Sequence, residues 1–361
     1  MTIERIQSDH YRIPLPVVLS DSTHKEITHF ELITARVTTI DGVEGLGYTY
    51  TVGRGGAAVH ALIDREITEI LQGADEGRIE ECWRAMWWDL HWVGRGGAAA
   101  FAISAVDIAL WDILGKRSGQ PLWRLLGGNN PTVAVYAGGI DLYFTLNDLL
   151  DQTRANLDRG FEAIKMKVGR RKLSEDVERV AAMRDYLGAD FPLMVDANMG
   201  WDRERALAAA RALAPYGLVW IEEPLEPEDV AGHAQVAAFG TPIAAGENLH
   251  NTAEFAQLIN AGGVHYVEPD LAVCGGVTAW MKVARMAEAA HLPVTSHGVH
   301  DLHVHLMAAM PNASYLENHG FGLERFIETP LLIENGRAVA PDRPGHGVAM
   351  NFNALEPFRV G

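Results

Sequence analysis

The sequence predicts an α/β protein in which a closed barrel of parallel strands follows an N-terminal α+β domain. From about Thr132 onward, eight short β-rich runs alternate with helical patterns at a spacing of roughly 20 to 30 residues, as in a β/α barrel. Before that point, strand patterns come first and helical patterns follow, which is typical of an α+β domain. A chain of 361 residues is long enough to form both parts.

The N-terminal domain is predicted over residues 1–128. Its β-rich runs Ile27–Thr39 and Val43–Thr51 flank the turn residues Asp41 and Gly42, so we expect a hairpin. Three helical stretches follow, at Ala58–Leu71, Ile79–Trp92 and Ala98–Leu114. The third stretch is apolar on nearly all sides and is expected to be a buried helix.

The barrel is predicted over residues 129–328. Helical stretches such as Asp176–Tyr186 and Arg203–Tyr216 lie between its strands. The eight strand candidates are Val133–Tyr136, Ala163–Val168, Pro192–Val195, Leu218–Ile221, Pro242–Ala245, His265–Val267, Pro293–Ser296 and Ser314–Leu316. The chemistry of such barrels takes place at the carboxyl ends of the strands.

Ionisable residues occur in or directly after every predicted barrel strand from the second to the eighth. In order they are Lys165 and Lys167, Asp196, Glu222 and Glu223, Glu247, Glu268 and Asp270, His297, and Glu317. The carboxylates Asp196, Glu222 and Glu247 come from consecutive strands and would repel one another unless a cation lay between them. Ligation by oxygen alone favours Mg²⁺ over zinc and leaves about three coordination positions for a substrate carboxylate and a neighbouring hydroxyl.

The two lysines and one histidine are candidates for proton transfer. Lys165 and Lys167 alternate with apolar residues, so a β-strand places them on one face, towards the carboxylates. We expect Lys165 and the metal to lower the pKa of Lys167 and make it a general base. His297 is expected to pair with Asp270 as an acid/base dyad, whereas His300, His303 and His305 fall on the next helix and are expected to be structural.

Two glycine-rich loops, Val52–Ala58 and Val93–Ala99, share the pattern Val-Gly-Arg-Gly-Gly-Ala-Ala. Each loop is either an anion-binding helix start or a simple turn with an exposed arginine. Both lack the lysine of a nucleotide P-loop.

Composition narrows the class of protein. The net charge of −17 argues against nucleic-acid and anionic-membrane partners. Only Cys82 and Cys274 occur, so neither a disulfide framework nor a structural zinc site is expected. The start of the chain lacks a signal-peptide pattern, and the longest apolar run contains Asp107 and Asp112, so we expect a cytoplasmic protein.

Together these residues resemble the enolase superfamily and, within it, the mandelate racemase group, over nearly the whole chain. The resemblance implies a modified TIM barrel, (β/α)₇β, an N-terminal capping domain, and a C-terminal segment, residues 329–361, that packs back on the cap. It implies the following roles: Mg²⁺ bound by Asp196, Glu222 and Glu247; Lys167 as one acid/base; Lys165 neutralising the substrate carboxylate; the His297–Asp270 dyad on the opposite face; and Glu317 donating a hydrogen bond to an enediolate.

The resemblance also implies that two cap segments, about Leu19–Glu26 and Tyr48–Gly56, close over the barrel mouth. The implied substrate-contact candidates are His24, Tyr48, Tyr50, Arg54 and Asn198. Further local stretches resemble cycloisomerases of anhydro sugar acids within this group: Phe30–Ala35, Gly47–Thr51, Val93–Gly97, Tyr136–Leu142 and Gly246–His250. A small-molecule sugar acid or hydroxy acid is the expected partner, and family members often form octamers.

Four functions remain open from the sequence. The leading one is Mg²⁺-dependent removal of the proton α to a carboxylate, followed by β-elimination in a sugar-acid dehydratase or cycloisomerase. The second is a racemase or epimerase that uses Lys167 and His297 as two bases. The third is a Schiff-base aldolase with Lys165 or Lys167 as nucleophile. The fourth is a catalytically inactive sugar-acid-binding protein.

Overall fold

The first 51 residues form a three-stranded antiparallel sheet. In the computed structural model, which describes residues 1–361, its strands are β1 (Ile3–Asp21), β2 (Lys25–Thr39) and β3 (Glu44–Thr51), in that order. The predicted hairpin is β2–β3. The sequence analysis missed β1 because Pro14 and Pro16 interrupt its strand pattern. A proline is tolerated here because β1 is an edge strand, and its register shifts between Pro14 and Leu19.

The helices of the cap pack on this sheet. They are α1 (Gly56–Ala61), which continues through a π-helical turn (Leu62–Ile67) into α2 (Thr68–Leu71), then α3 (Ile79–Asp89), α4 (Ala98–Ser118) and α5 (Leu122–Leu125). Two glycines of β3 let α4 approach closely. A Cβ added at Gly47 would lie 1.9 Å from the carbonyl oxygen of Ala105, and one at Gly45 would lie 2.1 Å from that of Ala109.

Helix α4 is the buried helix that the sequence predicts. It is the one helix long and apolar enough to cross a membrane by length and composition, and 78% of that apolar stretch is buried inside the fold. Its two aspartates are paired rather than exposed. Asp107 accepts hydrogen bonds from Thr278 of the barrel, and Asp112 accepts one from the backbone of Leu46. Because both buried aspartates accept hydrogen bonds from neighbouring elements, α4 is a core helix that packs between two layers of the fold.

The barrel strands run parallel and close into a ring. They are β4 (Thr132–Gly138), β5 (Ile164–Lys167), β6 (Leu193–Asp196), β7 (Ile221–Glu222), β8 (Ile243–Ala245), β9 (Tyr266–Val267) and β10 (Tyr315–Asn318). The predicted strand Pro293–Ser296 is reduced to bridges from Val294 to Val267 and Ala313, and β10 then pairs with β4. The ring therefore has eight strand positions, as the sequence predicts.

Seven helices separate these strand positions. They are α6 (Leu146–Asp158), α7 (Leu173–Leu187), α8 (Arg203–Leu213), α9 (Val230–Ala237), α10 (Thr252–Asn260), α11 (Gly276–Ala289) and α12 (His300–Ala309). The helix α12 carries His300, His303 and His305, all of which are buried. The predicted pattern of seven helices and eight strands is thus the one observed.

The C-terminal segment contacts both parts of the molecule. Its short strands β11 (Ile333–Glu334) and β12 (Arg337–Val339) form a hairpin that pairs with the start of β4. The chain then runs back along the cap through α13 (Phe352–Leu355), where the Gly361 carbonyl accepts a hydrogen bond of 3.0 Å from the backbone of His10. The segment therefore first extends the barrel sheet and then contacts the cap, the domain on which it is expected to pack.

Candidate active site

A cavity of about 430 Å³ lies between the barrel mouth and the cap. Its barrel wall includes Lys167, Asn198, Glu247, Asp270, His297 and His319. Its cap wall includes Asp21, His24, Tyr50 and Arg54, which come from the two cap segments that the sequence predicts to close over the barrel. Cap and barrel residues thus face one another across a single space.

The three predicted carboxylates converge beside this cavity, and Glu247 also lines it. Asp196, Glu222 and Glu247 each offer an oxygen, and these three atoms lie within 4.8 Å of one another. The parallel register sets Asp196 beside Glu222. The backbone N–H of Asn198 donates to Asp196 at 2.8 Å, and the Trp220 indole donates to Glu222 at 2.9 Å, so both carboxylates are oriented.

The electrostatics of the cluster fit a hard divalent cation. Burial raises the pKa of Glu222 well above its ordinary value, and repulsion from Asp196 adds to this shift. The Oε2 atom of Glu247 is buried and accepts no hydrogen bond, although the Nε2 atom of His297 lies 3.2 Å away. Three oxygen donors that repel one another, one of them without a hydrogen-bond partner, match the ligand preference of Mg²⁺.

The two lysines occupy different positions. Lys165 is 1% exposed and contacts Glu222, and its Nζ atom also lies 2.9 Å from Glu317. Lys167 contacts Asp196 and lines the cavity, which Lys165 does not. Only Lys167 is therefore placed to meet a bound substrate directly, whereas Lys165 lies beneath the cavity surface.

The pKa of Lys167 is set by opposing effects within the chain. Burial has the largest single effect and lowers this pKa, but the negative charges of Asp196, Glu247 and Glu222 together outweigh burial and the repulsion from Lys165. The net pKa lies above the ordinary lysine value. The predicted lowering counts the bound metal as well as Lys165, and it stays a prediction for the metal-loaded site; the charges that the chain itself supplies, above all that of Asp196, act in the opposite direction.

His297 forms the predicted dyad. Its Nδ1 atom lies 3.0 Å from Asp270, and its Nε2 atom lies 3.2 Å from Glu247. Tyr50 donates a hydrogen bond of 2.7 Å to the same oxygen of Asp270 and thereby fixes that carboxylate. Burial lowers the pKa of His297, but the nearby carboxylates Glu247, Glu317 and Asp270 raise it to about 10. The imidazole is accordingly protonated near neutral pH.

Glu317 contacts Lys165 and the backbone that follows His297. One oxygen pairs with Lys165, and the other accepts a 2.9 Å hydrogen bond from the backbone of Gly298. Although burial alone would raise its pKa, Lys165 and His297 hold it well below the ordinary glutamate value. An ionised carboxylate can only accept hydrogen bonds. The predicted role as a donor to an enediolate therefore disagrees with the charge state set by the chain.

The substrate-contact candidates divide into two groups. Four of them line the cavity: His24, Tyr50, Arg54 and Asn198. The Oδ1 atom of Asn198 is buried there without a hydrogen-bond partner. Tyr48 does not line the cavity and is fully buried in the core, so the structure contradicts its predicted contact. It precedes Tyr50 by two residues on β3, which places it about 7 Å further from the cavity end of the strand.

Several cavity residues were not predicted from the sequence, among them Asp21 and His319. Asp21 lies 2.9 Å from His24 and shares its turn. The ring of His319 lies 5.2 Å from that of His297 and 4.3 Å from that of Phe321. Burial lowers the pKa of His319 to about 3, so the ring is neutral. Its position two residues beyond Glu317, on the same side of the strand end, was a usable signal.

Two family descriptions match the chain. "Mandelate racemase / muconate lactonizing enzyme, N-terminal domain" matches residues 2–127, and "Enolase C-terminal domain-like" matches residues 148–354. The chain belongs to the mandelate racemase / muconate lactonizing enzyme family. The enolase-superfamily resemblance and the barrel-plus-cap fold that the sequence predicts are confirmed by these matches, and members of this family are enzymes.

Two members of the family are similar to this chain over most or all of their length. A 3,6-anhydro-α-L-galactonate cycloisomerase from Streptomyces coelicolor is 53% identical, over 99% of this chain and 100% of that protein. An L-talarate/galactarate dehydratase from Salmonella typhimurium is 37% identical, over 95% of this chain and 87% of that protein. The narrower resemblance to anhydro-sugar-acid cycloisomerases is therefore confirmed as well.

Solved structures of the family agree closely with this fold. A racemase from Streptomyces coelicolor with bound magnesium is 52% identical, with a TM-score of 0.97 over 99% of this chain and 100% of that chain. An L-talarate dehydratase from Polaromonas, complexed with Mg and L-glucarate, is 36% identical, with a TM-score of 0.94 over 100% of this chain and 98% of that chain. Both neighbours contain the metal that the carboxylate cluster fits.

Proposed function

We propose that this enzyme catalyses Mg²⁺-dependent removal of the proton α to a sugar-acid carboxylate, followed by elimination of the oxygen at the β-carbon. The observation that carries the proposal is the placement of Lys167 and His297 around one cavity, with three metal-binding carboxylates beside it. Lys167 ends the second strand of the ring and His297 follows the seventh strand position, so the two groups approach a substrate from different sides.

Each residue has a defined part in this proposal. Asp196, Glu222 and Glu247 hold the cation. When bound, Mg²⁺ supplies a Lewis acid for the substrate carboxylate and neutralises Asp196, the charge that raises the pKa of Lys167. Lys167 removes the α-proton, and Lys165 offsets negative charge from beneath the cavity. His297 is held by Asp270 with its proton available on the other side of the substrate.

The substrate class follows from the relatives. The 53% identical relative acts on a 3,6-anhydro sugar acid, in which the β-oxygen belongs to a ring. Elimination of a ring oxygen opens the ring and yields a 2-keto-3-deoxy acid with no loss of water, whereas elimination of a hydroxyl is a dehydration. We propose 3,6-anhydro-L-galactonate as the substrate, with linear sugar acids as the alternative that the dehydratase relatives support.

Racemisation is the second candidate function. Two acid/base groups on different sides of one cavity would allow removal of the proton on one face and its return on the other, and the 52% identical neighbour is described as a racemase. The aldolase hypothesis lacks such support. The relatives at 53% and 37% identity are a cycloisomerase and a dehydratase.

The test is a comparison of products in D₂O. The purified enzyme with Mg²⁺ is incubated with 3,6-anhydro-L-galactonate and with a panel of linear sugar acids, and keto acid is measured with semicarbazide. The proposal expects keto acid from the anhydro acid and loss of activity in EDTA that added Mg²⁺ restores. Deuterium incorporation into recovered epimers, with no keto acid from any substrate, would establish racemisation instead.

The remaining expectations from the sequence stay proposals. We propose that the chain divides at residues 1–128, 129–328 and 329–361, and that it acts in the cytoplasm. We also propose that it assembles as a homo-oligomer, octameric as in many members of the family.

A further inference from the structure

Two carboxylate–imidazole pairs face the cavity, one from each domain. In the barrel pair, Asp270 lies 3.0 Å from Nδ1 of His297. In the cap pair, Asp21 lies 2.9 Å from Nδ1 of His24. The same ring nitrogen is therefore bound to a carboxylate in both pairs, but the Nε2 atom of His297 also lies 3.2 Å from Glu247, whereas that of His24 makes no hydrogen bond within the chain.

The cap pair is held rigidly by its own turn. Asp21 is buried, and its second oxygen accepts hydrogen bonds from the backbone N–H groups of Thr23 at 2.9 Å and His24 at 2.6 Å. One carboxylate thus fixes both the backbone of the turn and the orientation of the imidazole. Lys25 follows with a φ of 59°, which ends the turn and leads into β2.

The turn is also fastened to the barrel. The Ser22 hydroxyl donates to the carbonyl of Ala197 at 2.6 Å, and the Thr23 hydroxyl donates to the carbonyl of Asn198. These two carbonyls directly follow the metal-ligand candidate Asp196 at the end of β6. The position of His24 relative to the barrel site is therefore set by hydrogen bonds on both sides of the domain boundary.

His24 presents an available donor to the cavity. It lines the cavity together with Lys167 and Glu247, and its side chain is 44% exposed. Its side-chain hydrogen bond within the chain is the one from Nδ1 to Asp21, which leaves Nε2 free. The hydrogen bond to Asp21 raises the pKa of His24, although partial burial opposes the shift.

We propose that His24, oriented by Asp21, is the general acid that protonates the oxygen leaving the β-carbon. This inference rests on the proposed elimination. Lys167 first takes the α-proton, and the C–H electron pair is held in an enediolate of the substrate; that pair then forms the new carbon–carbon double bond as the β-carbon–oxygen bond breaks. The departing oxygen takes the proton of His24 Nε2, the enol rearranges to the 2-keto acid, and the exposed imidazole regains its proton from water.

Geometry favours His24 over His297 for this step. A substrate carboxylate that lies at the three carboxylates of the barrel places the β-carbon further out, towards the cap, where His24 is located. His297 lies at the base of the cavity with both nitrogens near carboxylates, Asp270 at 3.0 Å and Glu247 at 3.2 Å. Its proton is therefore closer to the α-carbon than to the leaving oxygen.

The test separates α-proton exchange from elimination in the Mg²⁺-loaded enzyme. His24→Asn removes the acid. Asp21→Asn keeps the oxygen that holds the turn and removes the charge that orients the imidazole. Lys25→Asn is the matched control, because asparagine accepts the same backbone conformation and Lys25 does not line the cavity. Exchange is followed by NMR in D₂O, and keto acid is measured in the same samples.

We expect His24→Asn to keep α-proton exchange within a few fold and to lose keto acid formation by about 100-fold or more, with a smaller loss in Asp21→Asn and none in Lys25→Asn. In a substrate analogue with fluorine at the β-carbon, fluoride needs no acid to leave, so wild type and His24→Asn should eliminate fluoride at similar rates.

Keto acid formation by His24→Asn at the wild-type rate would overturn the inference. Equal loss of exchange and elimination, without rescue by the fluoro analogue, would also overturn it. A wild-type enzyme that makes no keto acid would instead overturn the proposed function.

Discussion

The Nε2 atom of His297 lies 3.2 Å from Glu247 while its Nδ1 atom lies 3.0 Å from Asp270. One imidazole thus joins the acid/base dyad to the carboxylate cluster, and both of its nitrogens face negative charge. This arrangement raises the pKa of His297 to about 10. A substitution at Asp270 or Glu247 is therefore expected to change the pKa of His297 directly.

Removing one carboxylate from the cluster should weaken metal binding. Asp196→Asn keeps the size of the side chain but removes a charge that faces Glu222 and Glu247, so we expect a loss of Mg²⁺ affinity of at least about 100-fold. Isothermal titration calorimetry measures it directly. Glu226→Gln is the control, because Glu226 is exposed in the loop after β7. Unchanged affinity in Asp196→Asn would show that Asp196 is not a ligand.

Lys167→Ala should abolish α-proton removal while leaving metal binding in place. Lys167 is the lysine that lines the cavity, and a positioned general base contributes about 10²- to 10⁴-fold to the rate. The measurement is deuterium exchange into substrate in D₂O, with Mg²⁺ affinity measured in parallel. Deuterium exchange at the wild-type rate in Lys167→Ala would show that Lys167 is not the base that removes the α-proton.

His297→Asn distinguishes elimination from racemisation. We expect α-proton exchange through Lys167 to persist and epimer formation to disappear, because the proton source on the other face is lost. Keto acid formation should fall by no more than about tenfold if His24 supplies the proton to the leaving oxygen. Chiral analysis of the recovered substrate measures epimer formation, and a keto acid assay measures elimination. Exchange without keto acid would assign the leaving-group proton to His297 instead.

Stability should fall in mild acid because of His305. This side chain is buried in α12, where Nδ1 accepts from the backbone N–H of Trp123 and Nε2 donates to the carbonyl of His346, so the ring is neutral. Burial lowers its pKa from 6.5 to about 3. Below pH 6.5 the unfolded chain therefore binds a proton at His305 that the folded chain does not bind. The stability that is present above pH 6.5 is lost as the pH falls towards 3.

The free energy of unfolding should fall by about 2 kcal/mol at pH 5, because this pH is about 1.5 units below the pKa of the histidine in the unfolded chain. Urea unfolding at pH 7.5 and pH 5 measures it. His305→Asn should be less stable at pH 7.5 but should lose about 2 kcal/mol less between the two pH values. His91→Asn, at an exposed position, is the control and should keep the wild-type slope. Equal slopes in wild type and His305→Asn would show that His305 is not the titrating group.

The sequence by itself determined the barrel and the residues at its mouth. Alternating strand and helix patterns predict parallel strands, and the carboxyl ends of parallel strands meet at one rim whatever the details of packing. Asp196, Glu222 and Glu247 could therefore be predicted as neighbours from their positions in the pattern alone. His297 and Asp270 were found for the same reason. The edge strand β1 was missed because its prolines obscure a pattern that only its place at the sheet edge tolerates.

The tertiary structure alone decided which groups control the charge of others. The pKa of Lys167 is set by its contact with Asp196, and the ionised state of Glu317 is set by Lys165 and His297, so both depend on distances between strands that a local pattern does not contain. The cap contributes in the same way. Tyr50 reaches Asp270 across 220 residues of sequence, whereas Tyr48, two residues earlier, does not line the cavity. Strand ends follow from periodicity, but the contact of two domains across a cavity is fixed only when the whole chain is folded.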